Sequence, residues 1–237
     1  MIKNLKKWIP LFILILILIS FYLFGFGKYF SFSFLQEYRH ILKDLVAQHF
    51  VLSILTFGIL YVVVAATSLP IALYLTILGG FLFGPVVALI VIDLSATLGA
   101  TFLFLTIKTT LGEVFQEKAT PWIKKMEAGF QENAFSYLLS LRLVPIFPFW
   151  AVTMAAPFLN VPLRTFVLAT LIGIIPGTFV YALLGNGLGA LFDQGRMPDL
   201  HIIFTPEIFL PILGLAVLSL LPIIYKKRKK TNGNTES

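Results

Sequence analysis

Arg142 is the residue of this sequence whose surroundings most clearly require a special environment. It lies in an apolar run next to Leu141 and Leu143. A charge at bilayer depth costs at least ~2.5 kcal/mol on insertion scales, so we expect the side chain to face a cavity or a partner. Pro145 and Pro148 follow and leave backbone groups free, which is tolerated only where protein or water satisfies them. The pattern predicts a polar notch suited to a phosphate or carboxylate, with an arginine that snorkels to the interface as the alternative.

Asp93 is the second candidate for chemistry, because it is the only acid within the apolar residues 86–107. A carboxylate at this depth could pair with Arg142 if their two regions approach each other, and could then bind and release a proton. The alternative is a carboxylate that lies near the lipid headgroups. Both interpretations stay open on the sequence alone.

Enzyme chemistry has little support in this sequence. There is no cysteine, so a thiolate nucleophile and cysteine metal sites are excluded. The three histidines are scattered without metal-ligand spacing, and no Lys-Ser or Lys-Thr pair ends the glycine cluster at residues 79–84. We therefore expect no enzymatic activity, no cofactor and no metal site.

The composition indicates a protein embedded in lipid. Hydrophobic residues make up 58% of the chain and charged residues 12%, and the mean hydropathy is +0.93. Apolar runs of about 20 residues match a helix that crosses a ~30 Å hydrocarbon layer. The net charge of +7 comes from basic residues at the ends of these runs, so it indicates membrane-flanking anchors and no nucleic-acid partner.

The predicted fold is an all-α, multi-pass integral membrane protein with about five full transmembrane helices and two re-entrant broken-helix segments. Residues 1–48 form an N-terminal transmembrane anchor and an interfacial segment, residues 49–190 a core with two re-entrant units, and residues 191–237 a polar loop, a last helix and a basic tail. The predicted full spans are residues 8–26, 50–67, 86–107, 165–184 and 208–225.

Two units of the core share one order, a short apolar segment broken by glycine or proline and then a long glycine-bearing helix. This order predicts an inverted repeat whose broken segments, residues 69–85 and 134–159, meet near the midplane; two kinked helices are the alternative. Gly173 and Gly177 have the spacing of a helix-packing face. The residues assigned to turns and helix packing are Gly79, Gly80, Gly84, Pro85, Gly99, Gly173, Gly177 and Gly185.

At these same residues the chain resembles the DedA superfamily, also called the SNARE-associated Golgi protein or VTT-domain family, and within it the Tvp-type membrane proteins. The matching sequence segments are GGFLFGP at residues 79–85, LGA at 98–100, LRLVPIFPF at 141–149 and GIIPGTFVYALLGNGLG at 173–189. The resemblance implies two re-entrant segments that face each other, with Arg142 and Pro145 as the arginine and proline of the family motif. It also implies the movement of phospholipids or polyprenyl phosphates, coupled in some members to protons.

The resulting expectation is a lipid transporter or scramblase in the plasma (inner) membrane, with membrane lipids as partners and a possible homo-oligomer. The candidate headgroup site consists of Arg142, Pro145, Pro148 and Asp93. Alternatives are a proton-coupled carrier of a small solute and a membrane-homeostasis or assembly factor without transport activity. The acidic pair of the proton-linked relatives is absent from residues 69–85, which leaves Asp93 as a substitute by inference.

Overall fold

The computed structural model describes residues 2–23, 32–69, 71–110, 134–143, 147–193 and 206. All regular structure in these residues is α-helical, as predicted. The helices are α1 (Ile2–Leu23), α2 (Phe32–Gln48), α3 (Phe50–Thr67), α4 (Ala72–Phe83), α5 (Pro85–Thr110), α6 (Ala134–Leu143), α7 (Phe149–Phe158), α8 (Leu163–Gly173) and α9 (Ile175–Asp193).

Three described segments are long and apolar enough to cross a membrane: Phe50–Thr67, Pro85–Thr110 and Leu163–Gly187. They correspond to three of the five predicted spans. The predicted span at residues 208–225 lies outside the described residues, as does most of the polar segment at 108–132. The count of five spans therefore stays a prediction.

One face of α5 carries large apolar side chains that no other described helix covers. Val86, Ile90, Leu94, Leu98 and Phe102 recur every four residues and are each more than half exposed. Residues four apart lie on the same side of a helix. A stripe of this kind is an aggregation liability in water, so we expect this face to contact lipid.

The opposite side of α5 joins two cores, and α5 packs against α1, α3, α4, α7, α8 and α9. The first core brings α3, α4 and α5 together, with Leu75 and Ile92 fully buried in it. The second brings α5 together with α6, α7 and α8, and in it the rings of Phe104 and Phe166 lie 4.6 Å apart between centroids. The central helix therefore holds the two units in a fixed relation.

The first unit contains the predicted short helix, glycine turn and long span. α4 has 12 residues, which gives it a length of about 18 Å, too short to cross a ~30 Å layer. Gly84 follows with φ 75° and ψ 167°, a conformation that is essentially restricted to glycine, and α5 begins at Pro85. The turn thus depends on the absence of a side chain at residue 84.

The second unit repeats this order with different residues. α7 has 10 residues, and Asn160, the second residue after its end, has φ 52°, as Gly84 has a positive φ directly after α4. The sequences at the two ends of the short helices correspond. SLPI at residues 68–71 precedes α4 and LVPI at 143–146 precedes α7, while FLFGP at 81–85 and FLNVP at 158–162 close the two helices.

The predicted span at residues 165–184 lies within Leu163–Gly187, and the helix is interrupted once inside it. α8 ends at Gly173 and α9 begins at Ile175. Pro176 has no N–H group to donate to the carbonyl of Ile172, which explains a break at this point. A Cβ on Gly173 would meet Arg142, whereas one on Gly177 would meet nothing within 4 Å.

The glycines of α4 and α9 allow the two helices to touch backbone to backbone. A Cβ on Gly80 would overlap the backbone of Ala182, and one on Gly185 would overlap the backbone of Ile77. The order of these pairs is reversed between the helices, so α4 and α9 run antiparallel. Elsewhere, added Cβ atoms would meet the Val62 carbonyl oxygen at Gly99 (2.5 Å), Ile92 at Gly79 (2.9 Å) and the Arg142 Cβ at Gly173 (2.5 Å).

We expect Gly185→Ala to destabilise the protein by about 1–3 kcal/mol, because a backbone neighbour cannot move aside as a flexible side chain can. Gly177→Ala is the matched control on the same helix, since a Cβ there meets nothing within 4 Å. It should leave the melting temperature in detergent unchanged or raise it slightly. Equal melting temperatures for both variants would contradict close packing of α4 on α9.

Candidate functional site

A cavity of about 410 Å³ lies between the two units. Both broken regions contribute to its wall, so the structure brings together the segments that the sequence predicts to meet. From α3 and the first unit the wall includes Tyr61, Ala65, Ala72, Leu73, Thr76 and Ala96; from the second unit it includes Leu141, Arg142, Leu143, Phe147, Pro148, Phe149, Ile174, Gly177, Thr178 and Tyr181.

The predicted site residues have different places relative to this cavity. Arg142 and Pro148 lie in its wall. Asp93 is buried on α5 and does not line it. Pro145 lies outside the described residues.

The guanidinium of Arg142 is bound by groups from two other helices. Its Nη1 donates to the carbonyl oxygen of Phe149 at 3.0 Å. Its Nη2 donates to Oγ1 of Thr153 at 2.9 Å and to Oγ1 of Thr170 at 3.2 Å. Because these acceptors belong to α7 and α8, one side chain of α6 ties three helices of the second unit together.

The two threonines that accept these bonds have 0% exposure. The Arg142 side chain therefore reaches into the protein, which argues against the alternative of an arginine that snorkels to the headgroups. The hydroxyl of Thr153 donates to the Phe149 carbonyl at 2.8 Å, so its lone pairs remain available to accept from Nη2. These four residues, Arg142, Phe149, Thr153 and Thr170, form one network in which each hydrogen bond has one donor and one acceptor.

Two aromatic rings complete the surroundings of the guanidinium. Its central carbon lies 4.5 Å from the ring centroid of Phe149 and 5.5 Å from that of Phe166. The negative faces of aromatic rings attract a cation at these distances, and the attraction is stronger where water is excluded. The rings stabilise the positive charge without neutralising it.

Among the described residues, no carboxylate pairs with Arg142, and its Nε has no hydrogen-bond partner. The possible Arg142–Asp93 pair is not formed, and the hydrogen bonds of both Nη atoms go to α7 and α8 instead. Oδ1 of Asp93 has no hydrogen-bond partner either. The wall of the cavity thus carries one positive charge that the described protein groups do not balance, and an anion is the complementary ligand.

Helix N-termini from both units add to this positive potential. Ala72 and Leu73 at the start of α4, and Phe149 at the start of α7, line the cavity. Neither helix start has a side-chain cap. The first N–H groups of a helix carry partial positive charge and favour anions. Two short helices, one from each unit, therefore begin at the same cavity as the guanidinium.

A pair of hydroxyl groups stands in the part of the wall that the first unit provides. The hydroxyls of Tyr61 and Thr76 lie 2.9 Å apart, and Thr76 donates to the carbonyl of Ala72 at 2.9 Å. Sequence reasoning missed these residues, and it also missed Thr153, Thr170 and the two phenylalanines around Arg142. The Pro-Ile pair that precedes each short helix in the sequence was the signal for the position of these walls.

Fold and site together define a multi-pass helical membrane protein with a positively charged cavity between two similar units. Residues 69–187, about half of the chain, match the family model of the VTT domain. The chain belongs to this family, and thereby to the DedA superfamily. No solved structure matches it.

Named relatives cover most of this chain. Transmembrane protein 41 homolog of Dictyostelium discoideum is 33% identical over 200 residues, which are 81% of this chain and 58% of that protein. Transmembrane protein 41B of Homo sapiens is 32% identical over 72% of this chain and 57% of its own length, and that of Gallus gallus is 30% identical over 72% and 62%. The chain thus spans less than two thirds of the length of these curated relatives.

Thr170→Val tests whether the guanidinium network stabilises the second unit. The substitution keeps the shape of the side chain and removes one acceptor of Nη2. We expect the free energy of unfolding to fall by about 1–2 kcal/mol, because the lost bond has a charged donor.

Ser140→Ala is the control for this variant. Ser140 lies on α6 and is exposed, and its hydroxyl donates to the Ser136 carbonyl of the same helix. Its removal should change the stability by less than about 0.5 kcal/mol. If thermal unfolding in detergent gave the same result for both variants, the network would not tie the helices together.

Proposed function

We propose that this protein moves lipids across the bilayer, with the phosphate headgroup passing the cavity at Arg142 while the acyl chains stay in hydrocarbon. A charged headgroup that crosses hydrocarbon alone meets the desolvation penalty of any buried ion. A cation beside a cavity, without a counter-ion among the described residues, lowers that penalty for an anion. The unbalanced charge of Arg142 is the observation that carries the proposal.

The two helix starts at the cavity support the same ligand class. Short helices whose N-terminal ends face a site near the midplane are a recurrent way to bind anionic groups in transporters. Here one such helix comes from each unit, so a phosphate between them would interact with both α4 and α7. A relative movement of the two units would then change its surroundings.

The size of the cavity and the outer surface fit a headgroup better than a whole lipid. A volume of about 410 Å³ lies at the lower end of the ~300–1,000 Å³ typical of small-molecule pockets. The outward stripe of α5 from Val86 to Phe102 is apolar and suited to acyl chains. We propose the plasma (inner) membrane as the location and membrane lipids, phospholipid or polyprenyl phosphate, as the substrates, with no enzymatic step and no nucleic-acid partner.

Reconstitution of the purified protein into vesicles with a labelled phospholipid tests this proposal. Arg142→Ala should abolish transbilayer movement, because it removes the charge. Arg164→Ala is the matched control: Arg164 is exposed near the start of α8 and does not line the cavity. It should transfer lipid at the rate of the unmodified protein.

Each variant is compared at equal reconstituted amount, with matched and with opposed pH gradients. If Arg142→Ala moved lipid at the rate of the unmodified protein, the guanidinium would not be part of the pathway. Arg142→Lys keeps the charge and loses the two-pronged bonding, so partial transfer by this variant would assign the role to charge.

A proton-coupled carrier of a small solute is the second candidate. It is favoured by the buried carboxylate of Asp93, whose Oδ1 has no partner. Such a carrier would give a substrate-dependent current or pH change that Asp93→Asn suppresses, and no movement of labelled lipid.

A further inference from the structure

Two buried oxygen atoms on α5 lack hydrogen-bond partners among the described residues. Asp93 and Thr97 are 6% and 5% exposed, and the atoms concerned are Oδ1 of Asp93 and Oγ1 of Thr97. The residues are one helical turn apart, so both side chains lie on the same face. Buried polar atoms are normally paired, so two unpaired oxygens on one face are free to bind a ligand.

Other threonines of α5 do not share this property. The hydroxyl of Thr106, also buried, donates to the carbonyl of Phe102 at 2.8 Å. Thr101 bonds the carbonyl of Thr97 in the same way at 2.7 Å. A threonine in an apolar helix thus has a ready partner in its own backbone, and Thr97 does not use it.

Asp93 and Thr97 do not line the cavity, but a neighbour of Asp93 does. Ala96, at the i+3 position from Asp93, lies in the cavity wall. The carboxylate is therefore close to the wall, behind the small side chain of Ala96.

We propose that Asp93 and Thr97 bind a monovalent metal cation of the sodium class. Carboxylate and hydroxyl oxygens are hard ligands that suit alkali and alkaline-earth ions. One carboxylate balances a single positive charge, whereas a divalent ion would keep an uncompensated charge in an apolar interior. Among the described residues, no group of three His, Asp or Glu offers a site for a more highly charged metal.

The counter-ion of Asp93 has to come from outside the described protein groups. The guanidinium of Arg142 donates to α7 and α8 and forms no bond with this carboxylate. Bound water would complete the coordination shell of the cation. The inference goes beyond lipid movement, because the binding of a cation is measured without any transport.

The test is the melting temperature of the purified full chain in detergent, followed as NaCl replaces choline chloride at constant ionic strength. A ligand that binds the folded state raises the melting temperature in a saturable way. We expect such a rise with Na⁺ and a half-saturation concentration at least about tenfold higher in Asp93→Asn and in Thr97→Val, since even indirect changes around a metal cost 10–100-fold in affinity.

Thr106→Val is the control, because it removes a buried hydroxyl of the same helix whose bond is satisfied. Its half-saturation should equal that of the unmodified protein. No difference between Na⁺, K⁺, Li⁺ and choline, or an unchanged half-saturation in Thr97→Val, would overturn the proposal. A rise of the melting temperature at low pH without Na⁺ would also overturn it, because Asp93 would then be a buried protonated acid. Thr97→Val keeps the side-chain shape, so the test stands even if Asp93→Asn does not fold.

Discussion

A guanidinium inside an apolar layer needs acceptors in fixed positions, and the second unit of this protein is arranged around that need. Arg142 takes one carbonyl and two hydroxyls from α7 and α8 and lies against two aromatic rings. The short helix α7 must begin beside α6 for its first carbonyl to reach Nη1. Gly173 permits the close approach of α8, because any side chain there would meet the Arg142 Cβ. The charge thus determines how three helices pack.

The cavity follows from the same arrangement repeated twice. In each unit the sequence has a Pro-Ile pair before the short helix and Phe-Leu-x-x-Pro at its end, and a residue with positive φ, Gly84 or Asn160, lies in the exit from that helix. The two short helices begin at one cavity, while glycine contacts fix α4 on α9 and α5 separates the two cores. Positive potential and open volume therefore coincide, which is the physical basis for an anionic ligand.

Much of the fold could be predicted from the composition and from the positions of glycine and proline. The bounds of α3 agree with the predicted span, and the glycine turn after α4 was identified from Gly84 and Pro85. A single charge in an apolar run has a high free-energy cost inside a membrane, so Arg142 could be identified without any knowledge of its neighbours in space. The break between α8 and α9 was missed although Pro176 signals it, because length and hydropathy favoured one continuous span.

The partners of Arg142 could not be predicted, because Thr153 and Thr170 are 11 and 28 residues away and nothing local distinguishes them. Threonines in apolar helices usually bond their own backbone, as Thr106 does. Charge complementarity suggested Asp93 instead. The structure shows no such bond: the hydrogen bonds of both Nη atoms go to α7 and α8.

The account depends on water reaching the cavity beside Arg142 within the membrane. The chain has no cysteine, so single cysteines can be introduced and probed with a membrane-impermeant thiol reagent. Thr178→Cys lies in the cavity wall, and Leu98→Cys lies on the lipid-facing stripe of α5. We predict rapid labelling at residue 178 and none at residue 98 in intact vesicles. If residue 178 were as unreactive as residue 98, the cavity would contain no water, and the account would be wrong.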